Sequence, residues 1–346
     1  MLSSTDLKSL RAELTSAGLF THRTGATLRK GVVLMLSVAG LIAAAIALPW
    51  WCSLFLAPLA AVPAVSFAMI AHEAAHGSLS SNKTLNQIVL HVVFPVFGGL
   101  GAQHWIHKHN HLHHGHPNVD GRDPDIDIWP MALTRSAYDD SGPFRQWIQR
   151  HLQAYLFWPL TLFLAVMMRK ESFRHLVRRA RAGEVNRGVI LDTVCLLGHY
   201  ALWIAVPMIW LDPLSVLAFY GGLWATGGLL LSLVFAPAHM GLPVVDSHDD
   251  PWLHQLASTR DFDMPRAMSW FFIGLDHQVE HHLFPRIPHQ NLPRAREIAR
   301  AWCKRTGAPF QIIGFGAGVA DVTRHLRNSW QEVPAVPVQE SMLASG

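Results

Sequence analysis

Apolar residues dominate two long stretches of the chain, and each stretch has a break near its middle. Residues 31–72 contain no Asp, Glu, Lys or Arg. As one α-helix these 42 residues would extend roughly 63 Å, about twice the ~30 Å hydrocarbon core of a bilayer. Pro49 and two tryptophans divide the stretch, because proline interrupts a helix and tryptophan prefers the membrane interface. The pattern predicts a hairpin of two spans, residues 31–49 and 51–71.

A second hairpin is predicted further along the chain, with spans over residues 189–211 and 214–236 and an Asp-Pro turn between them. Two weaker apolar stretches, 85–103 and 152–168, are short or interrupted by polar residues, which favours interfacial or re-entrant helices. The predicted fold class is an all-α membrane protein. It has four transmembrane helices in two hairpins, interfacial helices and a cytoplasmic cap rich in histidine.

The composition agrees with a membrane protein and argues against several other classes. Half of the 346 residues are hydrophobic, the mean hydropathy is +0.21, and 15% are charged, against about 25% in soluble domains. This deficit argues against an ordinary soluble enzyme and a disordered chain, and a net charge of only +4 argues against a nucleic-acid partner. Three scattered cysteines exclude a disulfide framework and a Cys-x-x-Cys site.

Basic residues flank the predicted hairpins on one side. Residues 169–188 hold seven Arg or Lys against two acidic residues, and the turns between paired spans carry none. The positive-inside rule then places both termini and the middle loop in the cytoplasm. The predicted organisation is a cytoplasmic N-terminal segment (1–30), a membrane domain (31–310) and a C-terminal segment (311–346). The Pro-, Ser- and Gly-containing end, from about residue 333, is expected to be disordered.

Histidine is the unusual residue of this composition, with 22 copies. His72 and His76 are four residues apart at the end of the second predicted span, so both share one helix face and can bind one metal ion. Two further groups and one isolated histidine lie at the same predicted membrane face: 104–116, 277–282 and His239. Packing does not explain three such groups on one side of a membrane, so the pattern predicts a metal centre.

The number of candidate ligands indicates the kind of metal centre. Neutral imidazole binds zinc, copper, iron and nickel. A single four-coordinate zinc ion would leave most of the eight or nine candidate histidines unused. The sequence therefore predicts two metal ions with redox capacity.

Three histidine strings carry a resemblance to a known family: His72-Glu-Ala-Ala-His76, His109-Asn-His-Leu-His113-His114 and His277-Gln-Val-Glu-His281-His282. The sequence resembles the integral-membrane fatty acid desaturases, in which three histidine boxes bind a di-iron centre. Over residues 274–293 it is especially similar to the acyl-lipid and front-end branch. The resemblance covers about residues 30–310.

The resemblance implies a set of iron ligands, carried over residue by residue: His72, His76, His109, His113, His114, His239, His277, His281 and His282. Two alternatives stay open, namely His107 or His111 in place of His109, and Gln278 in place of His277. Polar residues beside the boxes are expected to orient the imidazoles rather than to act as separate catalysts: Glu73, Asn110, Asp123, Asp125, Gln278 and Glu280.

The resemblance also implies a reaction. O₂ is the co-substrate and is reduced to water at two Fe²⁺ ions, while two adjacent hydrogens leave a fatty acyl chain and a cis double bond remains. The acyl chain lies in the bilayer and is linked to phospholipid, CoA or a carrier protein. The sequence has no His-Pro-Gly-Gly haem signature, flavin or nicotinamide fingerprint, or iron–sulfur cysteine set. A separate electron donor, such as a ferredoxin or a haem protein, is therefore expected.

Three other functions compete with this interpretation. The first histidine string also fits the H-E-x-x-H motif of a zinc membrane protease, with Glu73 as general base, but it leaves the other groups unused. A histidine-rich metal transporter would explain residues 104–116 and not the third group. A lipid or carotenoid hydroxylase or ketolase of the same superfamily would share the iron chemistry and add oxygen to carbon.

Overall fold

The computed structural model describes residues 4–248 and 250–331. Within these residues helix is the dominant secondary structure, and four helices are long and apolar enough to cross a membrane. The predicted all-α membrane fold is therefore confirmed. The disorder predicted from about residue 333 lies outside the described residues.

The first hairpin follows a short N-terminal helix. Its elements are α1 (Ser4–Ser16), α2 (Thr24–Ala47), a 3₁₀ turn (Trp50–Cys52) and α3 (Ser53–His76). Most of α2 is exposed, as expected of a helix that faces lipid, whereas α3 is largely buried against its neighbours. Gly77 has a φ of 73° and ends α3, so His72 and His76 lie in the last turns of that helix.

Residues 83–113 do not form one straight helix. α4 (Lys83–His91) continues into a π-helical segment (Val92–Gly98), and after a bend of 107° α5 (Ala102–Trp105) leads into a second π-helical segment (Ile106–His113). The bend needs glycine, because Gly99 has a φ of 69° and a Cβ there would lie 2.7 Å from the Nε of Arg169. A bent pair of this kind is either a broken span or a re-entrant loop, so the interfacial or re-entrant helix expected for residues 85–103 stays a prediction.

Shorter helices connect the two hairpins: α6 (Arg135–Asp139), α7 (Pro143–His151), α8 (Gln153–Thr161) and α9 (Leu164–Arg181). None of these four is among the candidate spans, and the interfacial placement expected for residues 152–168 stays a prediction. α9 is amphipathic: it buries Ala165, Ser172 and Leu176 and exposes arginines on its other face.

The second hairpin consists of α10 (Arg187–Tyr200), continued by helical turns to Ile209, and α11 (Pro213–His239). Asp212 caps α11, because its Oδ2 accepts a hydrogen bond from the backbone N–H of Ser215 at 2.8 Å. α11 packs closely along α3: a Cβ added to Gly222 would lie 3.1 Å from that of Ala57. This packing leaves the histidine-bearing ends of α3 and α11 on the same side of the molecule.

A cap follows α11 in the chain. It consists of α12 (Pro251–Ser258), β1 (Asp261–Asp263), α13 (Arg266–Phe272), α14 (Gln278–Leu283), a 3₁₀ turn (His289–Asn291), α15 (Leu292–Thr306), β2 (Ile312–Gly314) and α16 (Phe315–Asn328). β1 and β2 pair in parallel, with Phe262 opposite Ile313. α1 packs against α15 through a cluster that includes Leu10, Leu14 and Trp302, so the N-terminal helix forms part of the cap.

Candidate metal centre

Four parts of the chain bring their histidines to one place beside the cap. These residues are His72 and His76 of α3, His109 and His113 of the second π-helical segment, His114 directly after it, His239 at the end of α11, and His281 and His282 of α14. They form two groups, and within each group one nitrogen from every imidazole lies within 4.8 Å of the others. A third set overlaps both groups and joins His109 and His113 to a carboxylate oxygen of Asp125.

The larger group contains five imidazoles: His72, His76, His109, His114 and His281. The Nε2 of His109 is 2.8 Å from the Nε2 of His72 and 3.2 Å from the Nε2 of His114. The ring of His281 lies 4.7 Å from that of His72 and 4.9 Å from that of His76, measured between centroids. Nitrogen atoms that converge in this way in a buried space form a suitable set of donors for a cation.

The smaller group contains three imidazoles: His113, His239 and His282. Each directs its Nδ1 to an acceptor outside the group: His113 to both oxygens of Asp123 at 3.1 Å, His239 to the carbonyl of Ser258 at 3.0 Å, and His282 to Oε1 of Gln255 at 3.0 Å. Donation of Nδ1–H to these acceptors fixes the tautomer and leaves the Nε2 lone pair available to a metal ion.

The two groups lie side by side. The ring of His114 in the larger group stacks on that of His282 in the smaller group, with centroids 4.2 Å apart. The two His-His pairs of the sequence are divided between the groups, with 5.8 Å between the rings of His113 and His114 and 5.7 Å between those of His281 and His282. Adjacent residues thus serve different groups, which suits two metal ions held next to each other.

Free ligand atoms remain in both groups. The Nε2 atoms of His76, His239 and His281 are buried and have no hydrogen-bond partner among the described residues. A buried polar atom without a partner costs folding free energy, and a metal ion would satisfy these atoms. The donor set is therefore a good fit for two transition-metal ions bound by neutral nitrogen ligands.

Burial also favours the protonation state that binds metal, except at His113, where Asp123 and Asp125 outweigh burial and raise the pKa. Burial lowers the pKa of His114, His281 and His282 well below the usual range, and neighbouring imidazoles lower these pKa values further. These side chains are consequently neutral near pH 7, with a lone pair available for coordination.

The second histidine box uses the geometry of a π-helix. Residues five apart face the same side of such a helix, which brings His109 and His114 into one group. His109 also stacks on Trp105, with ring centroids 4.7 Å apart. The two alternatives to His109 lie outside both histidine groups. His111 is exposed, and the ring of His107 lies 5.9 Å from the ring of His175.

The structure places eight of the nine predicted ligands in the two groups, and His277 lies in neither. His277 is the N-cap of α14, with φ −119° and ψ 59°, so the alignment of helical residues four apart does not extend from His281 back to it. Its Nδ1 is instead 3.1 Å from Oδ1 of Asp276. Gln278 donates from Nε2 to the carbonyl of Leu275 at 3.0 Å.

Two of the predicted orienting residues act near the second box. Oδ2 of Asp125 lies 3.4 Å from the Nδ1 of His113, and Oδ1 of Asp125 pairs with the Nζ of Lys108 at 2.6 Å. Asn110 donates from Nδ2 to the carbonyl of Ala75 at 3.0 Å, which ties this box to the end of α3.

Two other predicted orienting residues contact the cap instead. Glu73 accepts the backbone N–H of His289 at 2.7 Å and the Nδ1 of the same residue at 2.8 Å. Glu280 is buried beside Asp261, and burial together with this neighbouring carboxylate raises the pKa of Glu280 well above its usual range. Since His289 occupies both oxygens of Glu73, this carboxylate is not placed as the general base that a zinc protease requires.

Sequence reasoning missed the orienting groups on α12, which are the side chain of Gln255 and the carbonyl of Ser258. Gln255 also donates from Nε2 to the carbonyl of His114 at 2.7 Å, so it contacts both groups. A backbone carbonyl has no sequence signature, and no histidine box adjoins α12. The Asp250-Pro251 pair marks the start of the helix and gives no indication of its role.

Comparison with known proteins agrees with the geometry. Residues 47–314 match the fatty acid desaturase family. An acyl-lipid (9-3)-desaturase of Physcomitrium patens is 27% identical over 309 residues, which are 86% of this chain and 58% of the relative. A delta 8-(E)-sphingolipid desaturase of Kluyveromyces lactis is 28% identical over 284 residues, 76% of this chain and 48% of the relative. The human protein named fatty acid desaturase 3 is 26% identical over 282 residues, 75% of this chain and 57% of the relative.

This chain spans about half the length of the curated relatives that it matches. The family match covers most of the chain, from before α3 to the end of β2, and includes every histidine of the two groups. The protein belongs to the fatty acid desaturase family.

Proposed function

We propose that this protein is an O₂-dependent di-iron desaturase that introduces a cis double bond into a fatty acyl chain, with electrons from a separate donor protein. The observation that carries the proposal is the convergence of eight imidazoles, from distant parts of the chain, in two adjacent groups. The relatives support it, because their names describe desaturases of acyl lipids, sphingolipids and fatty acids.

The proposed iron ligands are the eight grouped histidines: His72, His76, His109, His113, His114, His239, His281 and His282. Bound iron would supply the oxidising chemistry needed to remove hydrogen from an unactivated methylene group. The protein's part is to hold the imidazoles in place. Asp123, Gln255 and the carbonyl of Ser258 do this for the smaller group by accepting Nδ1–H bonds.

Apolar side chains border the larger group. The ring of Phe235 lies 6.0 Å from that of His109 and 6.3 Å from that of His72. Trp105 packs between Phe94 and His109, with centroid distances of 4.9 Å and 4.7 Å. A hydrocarbon chain that reaches the metals along this border stays in an apolar environment, and the same side chains exclude water.

The topology is part of the same proposal. α9 ends in three arginines directly before the start of the second hairpin, on the side where α3 and α11 carry their histidines. The positive-inside rule then places the cap, both termini and the metal site in the cytoplasm. A soluble ferredoxin or a haem protein has access to the site from that side.

Expression of the chain in a host that lacks the activity, followed by mapping of double bonds in the extracted lipids, tests the proposal. We expect new cis double bonds and about two iron ions per purified chain. The variants His113→Ala and His281→Ala should abolish product while membrane insertion is retained. His111→Ala is the matched control, because His111 belongs to the same box and is exposed.

Each competing function predicts a different result. Lipids that gain hydroxyl or keto groups instead of double bonds would identify a hydroxylase or ketolase. One zinc ion per chain would support a protease. New trans double bonds would contradict the proposed cis geometry. The (E) in the name of the sphingolipid desaturase of Kluyveromyces lactis denotes a trans double bond.

A further inference from the structure

A pocket of about 450 Å³ lies beside the end of α3, outside the two histidine groups. Three distant parts of the chain form it: α1, the start of α4 and the segment after α14. Its lining includes three cations, Arg11, Lys83 and Arg286, together with the hydroxyl groups of Ser80 and Ser81 and the ring of Phe20. Gly77, which directly follows His76, also lines the pocket.

The positive charges of this pocket are not compensated. No carboxylate lines it, and Arg11, Lys83 and Arg286 form no ion pair among the described residues. Glu13 of α1 and Glu73 of α3 are engaged elsewhere: Glu13 pairs with Arg305 at 2.7 Å, and Glu73 with His289 at 2.8 Å. Three exposed cations brought together by the fold raise the local potential for an anion.

Packing fixes the backbone segments around these cations. α1 is anchored to α15 by Leu10 and Leu14 and by a hydrogen bond from Trp302 Nε1 to Ser9 Oγ at 2.9 Å. Asn291 donates to the carbonyl of Leu19 at 2.8 Å and so fixes the segment that leads from α1 to α2. At the base of the pocket, the Nε2 of His22 lies 3.1 Å from the carbonyl oxygen of Gly77. The backbone that lines the pocket is therefore fixed by packing and hydrogen bonds, and the three cationic side chains project from it into solvent.

The position of the pocket indicates which anion it suits. Its walls adjoin the start of α2, the end of α3 and the start of α4, which is the level at which membrane spans meet water and lipid phosphates lie. Arginine and lysine with two serine hydroxyls are the donors that commonly bind phosphate. The pocket wall at Gly77 directly follows His76 of the larger histidine group, so a phosphate held here lies close to the proposed reaction site.

We propose that the pocket binds the phosphate ester group of the molecule that carries the acyl chain, which is the phosphate of a membrane lipid or of CoA. The inference rests on the proposed function for the identity of the acyl substrate. The phosphate binding itself follows from the pocket.

Native mass spectrometry of the purified, metal-loaded full chain in detergent tests the inference, with phosphatidic acid and CoA as separate probes. Arg11→Gln, Lys83→Gln and Arg286→Gln each remove one charge at an exposed position. Each single substitution should weaken phosphate binding by roughly 3- to 10-fold, and the triple variant by about 100-fold, because exposed charges are partly screened. Arg300→Gln is the matched control, since it removes one exposed charge from α15, outside the pocket.

Tighter binding of phosphatidic acid than of CoA, lost in the triple variant, would support a lipid source, and the reverse preference would support CoA. Wild-type affinity of the triple variant for both probes would overturn the inference, as would an equal loss in Arg300→Gln. The metal content of each variant shows that the fold is retained.

The two proposals fail separately. Cation-dependent phosphate binding without new double bonds in host lipids would refute the desaturase proposal alone. New double bonds with unaltered binding in the triple variant would refute the pocket alone.

Discussion

Replacement of Asp123 by asparagine tests whether the smaller histidine group binds a metal ion. The Asp123 carboxylate is 2% exposed and contacts the Nδ1 of His113 through both oxygens at 3.1 Å. It also accepts the backbone N–H of Asn118 at 2.8 Å and that of Asp125 at 2.9 Å. No other side chain makes so many contacts around a single imidazole of this group among the described residues.

The expected loss of metal affinity follows from these contacts. Outer hydrogen-bond partners of metal-bound histidines typically contribute about 10- to 100-fold in metal affinity, which corresponds to ~1.4–2.8 kcal/mol. An asparagine side chain keeps one acceptor oxygen. Its NH₂ group is a donor and faces N–H groups from which the carboxylate accepts hydrogen bonds. We therefore expect a loss near the upper end, about 100-fold, for one of two bound ions.

The assay is titration of the purified protein with a chelator while retained iron is counted. The Asp123→Asn variant should release one ion at a chelator concentration about 100-fold lower than the wild type, and the second ion near the wild-type concentration. Asp127→Asn is the control, because Asp127 lies in the same loop and is exposed. Simultaneous release of both ions, or unchanged release, would refute the assignment of His113 to a separate metal position.

The remaining predictions concern α12, the first histidine box and a buried thiol. Gln255→Leu removes the acceptor for the Nδ1 of His282 and should weaken one metal site about 10-fold in the same titration. Glu73→Gln should keep both metals and lower the free energy of unfolding by about 1–3 kcal/mol, measured by denaturant titration in detergent, because a carboxamide accepts only one of the two bonds from His289. Burial raises the pKa of Cys303 to about 12, so its thiolate is scarce at pH 8 and iodoacetamide should label it, by mass spectrometry, only after unfolding.

Clear results would contradict each of these expectations. Wild-type metal retention in Gln255→Leu would show that the amide does not orient an imidazole. Loss of both metals in Glu73→Gln would assign Glu73 to the metal site. Labelling of Cys303 in the native protein at the rate of partly exposed Cys52 would contradict its burial.

The four spans were predictable because lipid selects long apolar segments whatever the rest of the chain does. Their ends were less predictable. α3 continues to His76 and α11 to His239, beyond the predicted limits of 71 and 236, because both helices extend past the apolar region to the histidine sites. Hydropathy marks where lipid ends and not where a helix ends.

The candidate metal ligands also show what the sequence could predict and what it could not. Box spacing predicted His72 and His76 correctly as neighbours, because both lie within one regular helix. The same spacing between His277 and His281 brings no such contact, because His277 lies at the non-helical N-cap of α14. Regular periodicity applies only inside a helix, and a sequence does not mark the first helical residue with that accuracy.

The amino-acid sequence by itself determined the membrane class, the two hairpins and the histidine boxes, since hydrophobicity and residue identity are properties of each local segment. Only the tertiary structure decided which imidazoles share a group and which acceptors orient them. It alone placed Arg11, Lys83 and Arg286 around one pocket. These relations join residues more than two hundred positions apart, as between His72 and His281, and they arise when packing of α3, α11 and the cap fixes distances that no local pattern contains.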